Sequence, residues 1–215
     1  MRSYGQYCGV AKALDVLGER WTLLIVRELL IRGPSRYTDL RHGLPGIATN
    51  LLAARLRELE HADIVRREDA PPPVATTLFE LTERGKALEP ILHELGRWAG
   101  PLLALPAEED SKFNAYWLAL PARLHLTDAA PGRRPVAIEI RGGAEPLVIE
   151  AAKGEIHTRV GHAEEPDLTL DGPPHLVVGL LLGRIELAQA RAGGLSYEGD
   201  PKVLRRIRPR AAQSE

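Results

Sequence analysis

The sequence predicts an α+β chain in two parts: an N-terminal winged helix-turn-helix, then a smaller α+β domain. Three observations predict it. The stretch from Ile47 to Gly85 reads in order as a helix, a short strand, a Pro-rich loop, a short strand and the start of a new helix. That is the order in which a winged helix sets one helix and one β-ribbon against DNA. Near Gly100 to Asp110 the segment GPLLALPAEED turns from helical to a Pro-containing acidic connector, which marks a boundary. Beyond it, strand-like runs precede helix-like runs, the pattern of an α+β domain. The two domains are expected over 1–104 and 111–210.

Composition sets the bounds. At 215 residues with 44% hydrophobic and 27% charged residues, the chain is globular rather than disordered. The net charge of −1 does not announce a polyanionic partner, but the local charge is uneven. Between Arg27 and Arg57 stand six arginines against two acids, whereas from Pro101 onward stand 14 basic residues against 16 acidic ones. A localised phosphate footprint has this form. The single cysteine, Cys8, excludes an intrachain disulfide, and a reducing cytoplasmic setting is the expectation. The N-terminus shows no secretory pattern, and the longest apolar run, Leu176 to Leu182, is far short of a membrane span.

From Cys8 to Leu17, Val10, Ala13, Leu14 and Leu17 recur at helical spacing, and Gly18 ends the run. Trp21-Thr22 opens a strongly apolar helix through Leu30, stopped by Gly33-Pro34. Ser35 is the expected N-cap of a short helix, Tyr37 to Arg41. After the Gly43–Gly46 turn comes the expected recognition helix, Thr49 to His61. Leu52, Leu56 and Leu59 share one face of it, and Asn50, Ala53, Ala54 and Arg57 share the other. Small residues mixed with Asn and Arg let a backbone approach base edges closely. The wing is Ile64 to Arg67, a loop from Asp69 to Thr77 with three consecutive prolines, and Leu78 to Leu81. Thr82 then caps an amphipathic helix carrying Leu88, Ile91, Leu92, Leu95 and Trp98.

In the second half, a helix from Phe113 to Leu120 is expected to stop at Pro121. Strands are expected at 135–140, 147–150 and 167–170, a helix from Gly172-Pro173-Pro174 to Leu182, and another from Ile185 to Arg191. Leu195 to Asp200 reads as strand and turn, and Pro201 starts a last helix. Arg205, Arg206, Arg208 and Arg210 read as a basic tail, which either adds phosphate contacts or, more simply, is a frayed surface helix.

The N-terminal half resembles the HxlR family of bacterial winged-helix regulators. The matching residues are Cys8 and its helix, Leu17-Gly18-Glu19-Arg20-Trp21-Thr22-Leu23-Leu24-Ile25, Arg36-Tyr37-Thr38-Asp39-Leu40, Pro45-Gly46-Ile47, Arg55 to Glu60 and Glu80-Leu81-Thr82-Glu83-Arg84-Gly85. The likeness covers roughly residues 4 to 101 in unbroken order. It implies a homodimer, a double-stranded DNA operator and Trp98 in dimer packing. One departure stands out: many members have a serine where this chain has Ala48, so Thr49 is expected to cap the recognition helix instead. The C-terminal half resembles a sterol-carrier-protein-2-type domain over about residues 111 to 208. The likeness rests on Asp167-Leu168-Thr169-Leu170, Gly172-Pro173 with the apolar helix, and Gly194 to Asp200. It implies an apolar cavity between sheet and helices.

Asn50, Ala53, Ala54 and Arg57 are the expected base contacts, weighed against an ordinary solvated helix face. Arg36, Thr38 and Arg55 are expected to contact the DNA backbone and fix register, and Thr49 is a further DNA-binding candidate. Arg66 and Arg67 point to opposite sides of a strand, so one of them faces the phosphates. Leu147, Ile149, Leu168, Leu170, Leu176, Leu180 and Ile185 either line an apolar ligand pocket or form an α+β core. Cys8 is a redox-sensor candidate, against a small buried hydrophobe. No nucleophile–base set, metal spacing or cofactor loop stands out, so no enzyme, cofactor or metal is expected. The expected function is a DNA-binding regulator whose dimer reads half-sites one helical turn, roughly 34–36 Å, apart. An apolar small molecule is a further expected effector. The competing reading is a lipid or small-molecule carrier whose winged helix is a protein-interaction module.

Overall fold

The structure is a computed structural model, and it describes residues 3–69, 76–104 and 111–210. The chain divides into two compact units, Met1–Glu94 and Leu95–Glu215.

The first unit runs α1 (Gly9–Leu17), α2 (Thr22–Arg32), β1 (Ser35–Arg36), α3 (Tyr37–Gly43), α4 (Thr49–His61), β2 (Val65–Asp69), β3 (Thr77–Leu81) and α5 (Glu83–Lys86). α6 (Glu89–Ala99) crosses the division between the units. The strands form an antiparallel sheet in the order β1-β3-β2, with Arg66 opposite Glu80 and Arg67 opposite Phe79. Ile25, Leu40, Leu52, Leu56, Leu59 and Leu81 meet in one core. The leucine face expected of α4 is therefore the buried one. Thr82 caps α5 as expected, accepting from the Gly85 amide at 3.1 Å. Gly85 has no alternative residue there, because a Cβ would overlap the Ile64 carbonyl oxygen.

Four local expectations are corrected in this unit. Ser35 does not cap α3. It lies in β1, and its hydroxyl donates to the Gly33 carbonyl at 2.9 Å. The cap position belongs to Arg36, whose amide donates to the Asp39 carboxylate at 3.1 Å, and α3 runs on to Gly43. Thr49 does not cap α4: Ala48 holds that position without a side-chain acceptor, and Thr49 is the first helical residue. The expected single helix after Thr82 is broken into α5 and α6. Leu88 and Leu92 pack against the core, while Ile91, Leu95 and Trp98 stay exposed in the single chain, Trp98 at 77%. The three prolines of the wing loop lie outside the described residues.

The second unit contains a short 3-10 turn (Ala115–Leu118), α7 (Ala119–His125), β4 (Leu126–Asp128), β5 (Val136–Arg141), β6 (Leu147–Ala152), β7 (Glu155–Val160), β8 (Leu168–Asp171), α8 (Pro174–Leu181), α9 (Leu187–Ala192), β9 (Ser196–Gly199), a 3-10 turn (Pro201–Arg205) and β10 (Ile207–Pro209). Five strands form a mixed sheet in the order β7-β6-β5-β8-β9, and β10 pairs with β4. The β5–β8 pair is parallel, with Ile138 opposite Leu168 and Ile140 opposite Leu170. One face of this sheet is apolar and closed: Ile138, Ile140, Leu147, Ile149, Leu168 and Leu170 have no exposed surface. The other face buries Glu139, whose carboxylate accepts from the Ala163 amide and from Arg141 Nε, each at 2.9 Å. Burial alone would raise its pKa, but these donors hold it below the ordinary value.

Pro121 does not stop a helix. It sits in the first turn of α7, where the amide it lacks has no intrahelical partner to lose. The basic tail is not a frayed helix either. Arg206 is buried, donating to both oxygens of Asp128 at 2.8 and 3.0 Å, and residues 207–209 are zipped onto β4.

Candidate nucleic-acid interface

α4 stands with its leucines inward, so its outer face is fixed by geometry. Asn50 and Arg57 are exposed there, and Ala53 and Ala54 are half-buried. Ala54 and Arg57 line a surface concavity with Glu58 and His61. The start of the helix is held by Tyr37, whose hydroxyl donates to the Thr49 carbonyl at 2.6 Å. The Asn50 side chain accepts from the Leu51 amide at 2.9 Å, which leaves its NH₂ group to donate outward. Thr38 lies exposed on α3, and its hydroxyl reaches Asp39 at 3.4 Å.

The arginines separate into two groups. Arg36 and Arg57 are exposed, and neither has an ion pair among the described residues. Arg57 makes no helical ion pair with Glu60 among those residues, because Glu60 instead accepts from Arg67 of β2 at 2.6 Å. Arg66 donates to Glu80 across the ribbon at 2.7 Å. That bond holds the Glu80 carboxyl below its ordinary pKa.

Arg55 is the most committed of the set. Its side chain is only 15% exposed, and it bridges Glu58 on its own helix and Glu19 in the α1–α2 turn, the latter at 3.0 Å. Arg55 braces α4 against that turn, a role that depends on Glu19, 36 residues away, and that helical spacing alone did not reveal. Trp21, next in the same turn, takes a left-handed backbone at φ 78°, with the Arg20 guanidinium 5.7 Å from its ring centre.

Cys8 is exposed at the cap position of α1. The Ala11 and Val10 amides at the helix start hold its thiol below the ordinary pKa, although the sulfur closes no capping hydrogen bond. Of the seven pocket candidates, Leu147, Ile149, Leu168 and Leu170 are fully buried in the sheet, and Leu176, Leu180 and Ile185 are half-buried on and after α8. No group of three or more metal-ligating side chains is found among the described residues, and no described helix is long and apolar enough to cross a membrane.

Residues 16–105 match the model of the HxlR-like helix-turn-helix family. The uncharacterized HTH-type transcriptional regulator YvaP of Bacillus subtilis is 41% identical over 88 residues, covering 41% of this chain and 81% of YvaP. The HTH-type transcriptional regulator YodB of the same organism is 38% identical over 87 residues, covering 40% of this chain and 77% of YodB. The solved reduced form of YodB aligns at 36% identity with a TM-score of 0.40, covering 44% of this chain and 92% of that one. Residues 111–210 lie outside the family match. Sustained identity across most of the length of these regulators, together with the family match, places the chain in the HxlR-like helix-turn-helix family of transcriptional regulators.

Proposed function

We propose that the chain binds a pseudo-palindromic DNA operator as a homodimer, with α4 of each subunit in a major groove and the β2–β3 wing on the flanking backbone. The observation that carries this reading is the outer face of α4. Its leucines are buried while Asn50 and Arg57 stand clear of internal ion pairs. Arg36 and Thr38 at the start of α3 contact the backbone, and one of Arg66 and Arg67 does so from the ribbon. Arg55 acts as a brace. The homodimer is supported by apolar side chains that the single chain leaves exposed: Val10 and Leu14 on α1, and Ile91, Leu95 and Trp98 on α6. Association that covers them would bring two recognition helices onto one duplex. Titration against DNA from the chain's own upstream region, with unrelated DNA as competitor, tests the reading. Selective binding that falls about 10³-fold or more between roughly 50 and 200 mM salt is the expected result. Absence of selective binding favours the carrier reading.

The second domain, over 111–210, takes a sterol-carrier-like role in this proposal and binds an apolar small molecule beside α8. The half-buried Leu176, Leu180 and Ile185 support this. Such a ligand regulates only through different affinities for DNA-bound and free dimers. Extraction of the purified protein followed by mass spectrometry, with a Leu180→Asp variant as control, tests it.

A second reading concerns Cys8. Its exposure and lowered pKa favour a thiol that responds to oxidants, and any disulfide would join two subunits. Oxidation that leaves DNA affinity equal in Cys8→Ser and the natural chain would end this reading.

A further inference from the structure

We infer that the second unit carries its own docking surface for the phosphate backbone of double-stranded DNA, at the corner where three segments meet around the buried Arg206–Asp128 pair. The convergence is fixed by hydrogen bonds. Arg206 donates to both carboxylate oxygens of Asp128 and to the carbonyls of Arg133 and Arg134, the former at 3.3 Å. The Ala129 amide donates to the Arg206 carbonyl at 2.7 Å, and β10 continues along β4. Gly154 closes the third side, its amide donating to Asp128 at 3.2 Å.

These contacts bring together residues 126–135, 153–155 and 200–210. Within them stand eight basic residues against three acids, a net of +5, whereas the rest of 111–210 holds six basic residues against nine acids, a net of −3. The unit is therefore strongly polarised although its total charge is small. The internal demand on these cations is met almost entirely by Arg206. Asp128 is the buried acid, and Arg206 holds its pKa at about 2, so both charges cancel inside. Arg134 pairs with Asp167 at 2.6 Å. Arg133, Lys153, Lys202, Arg205, Arg208 and Arg210 remain exposed, and none has an ion pair among the described residues. Asp200 does not offset them by pairing; its carboxylate caps the following turn at the Lys202 amide.

Arginine dominates the patch, and guanidinium matches phosphate geometry better than ammonium does. Arg208 stands on β10, which is paired with β4, and the other cations stand on turns that these hydrogen bonds join, so little ordering entropy opposes contact. DNA is the polyanion this surface fits, because the same chain carries a winged helix. The winged helix supplies sequence selectivity, and the corner supplies affinity that is independent of sequence.

The experiment uses the full chain with Arg205→Gln and Arg208→Gln together, and Arg184→Gln as a control for net charge. All three side chains are exposed. Affinity for upstream DNA and for unrelated DNA is expected to fall by the same factor, about tenfold or more. The slope of log affinity against log salt should shallow by about 0.9 per lost phosphate contact, so by about 2. The Arg184→Gln variant should bind as the natural chain does. Circular dichroism and melting verify folding, and Arg133→Gln with Lys153→Gln repeats the test from the other two segments. Unchanged affinity and slope in both double variants overturn the inference while leaving the α4 reading standing. Loss of selectivity without loss of slope also overturns it. Unchanged DNA binding with lost binding to phosphatidylglycerol vesicles overturns it in favour of a lipid surface. No DNA binding by the natural chain sinks both this inference and the α4 reading.

Discussion

In each unit of this chain an arginine turned toward an internal partner stands two residues from one that faces solvent. In the first unit Arg55 bridges Glu58 and Glu19, while Arg57, two residues on, stands exposed on the outer face of α4. In the second unit Arg206 is buried against Asp128, while Arg208, two residues on, is exposed. In both places a two-residue step separates a structural cation from one available to a partner. The two inward arginines differ in depth, and that sets their worth. Glu19 is more than half exposed, so its pair with Arg55 is screened. The Arg206–Asp128 pair has almost no solvent access, so removing one partner strands the other. Charge in a sequence window therefore says less about DNA contact than the partner each cation already has.

The depth difference is sharpest in stability. Arg206→Ala should destabilise the second unit by about 3–5 kcal/mol, because it leaves a buried carboxylate unpaired. Arg208→Ala should cost no more than about 0.5 kcal/mol. Urea denaturation followed by circular dichroism distinguishes them, and equal costs would erase the contrast. The pair also predicts a pH dependence. The folded pKa of Asp128 is depressed to about 2 from 3.8, so its stabilisation is complete above the unfolded value. It is lost as pH falls through roughly 5 to 2, and the Arg206→Ala variant should lose less stability over that window.

On α4, Leu56→Ala should cost about 2–5 kcal/mol, because Leu56 is only 2% exposed in the core. A neutral outcome would mean that the buried face is misassigned. A smaller effect is expected on the outer face. Arg57→Ala should weaken binding to upstream DNA by about 1–3 kcal/mol while sparing unrelated DNA, as a base contact requires. A uniform loss would reassign Arg57 to phosphate. The smallest effect, about 0.2–1 kcal/mol of stability, is expected for Glu19→Gln. Its sign in a DNA titration is more telling than its size. As a brace, Arg55 needs Glu19, so the variant should bind DNA more weakly. If Arg55 instead contacts phosphate, freeing it should strengthen binding and steepen the salt dependence.

Periodic and local signals were the legible ones. α4 spans Thr49 to His61 as its Leu52-Leu56-Leu59 spacing predicts, and the Thr82 cap follows from side-chain chemistry within three residues. Local reading failed where distant partners decide. Ser35 is a good cap by type, but pairing with Phe79 draws it into a strand. Three-residue β4 and β10 have too few positions to show alternation, and they exist because they pair with each other. Arg206 looks like any other basic tail residue until Asp128, 78 positions earlier, is placed beside it. The outer face of α4 was legible as a face, whereas the commitment of Arg55 to Glu19 depended on the turn between α1 and α2.

The central claim is that the outer face of α4 reads DNA. The most direct test is an anisotropy titration of the natural chain and Arg57→Ala against upstream and unrelated duplexes at several salt concentrations. The natural chain should prefer the upstream duplex with a steep salt dependence, and Arg57→Ala should lose that preference while keeping the slope. Equal, unselective binding by both proteins, or no binding at all, would contradict the claim.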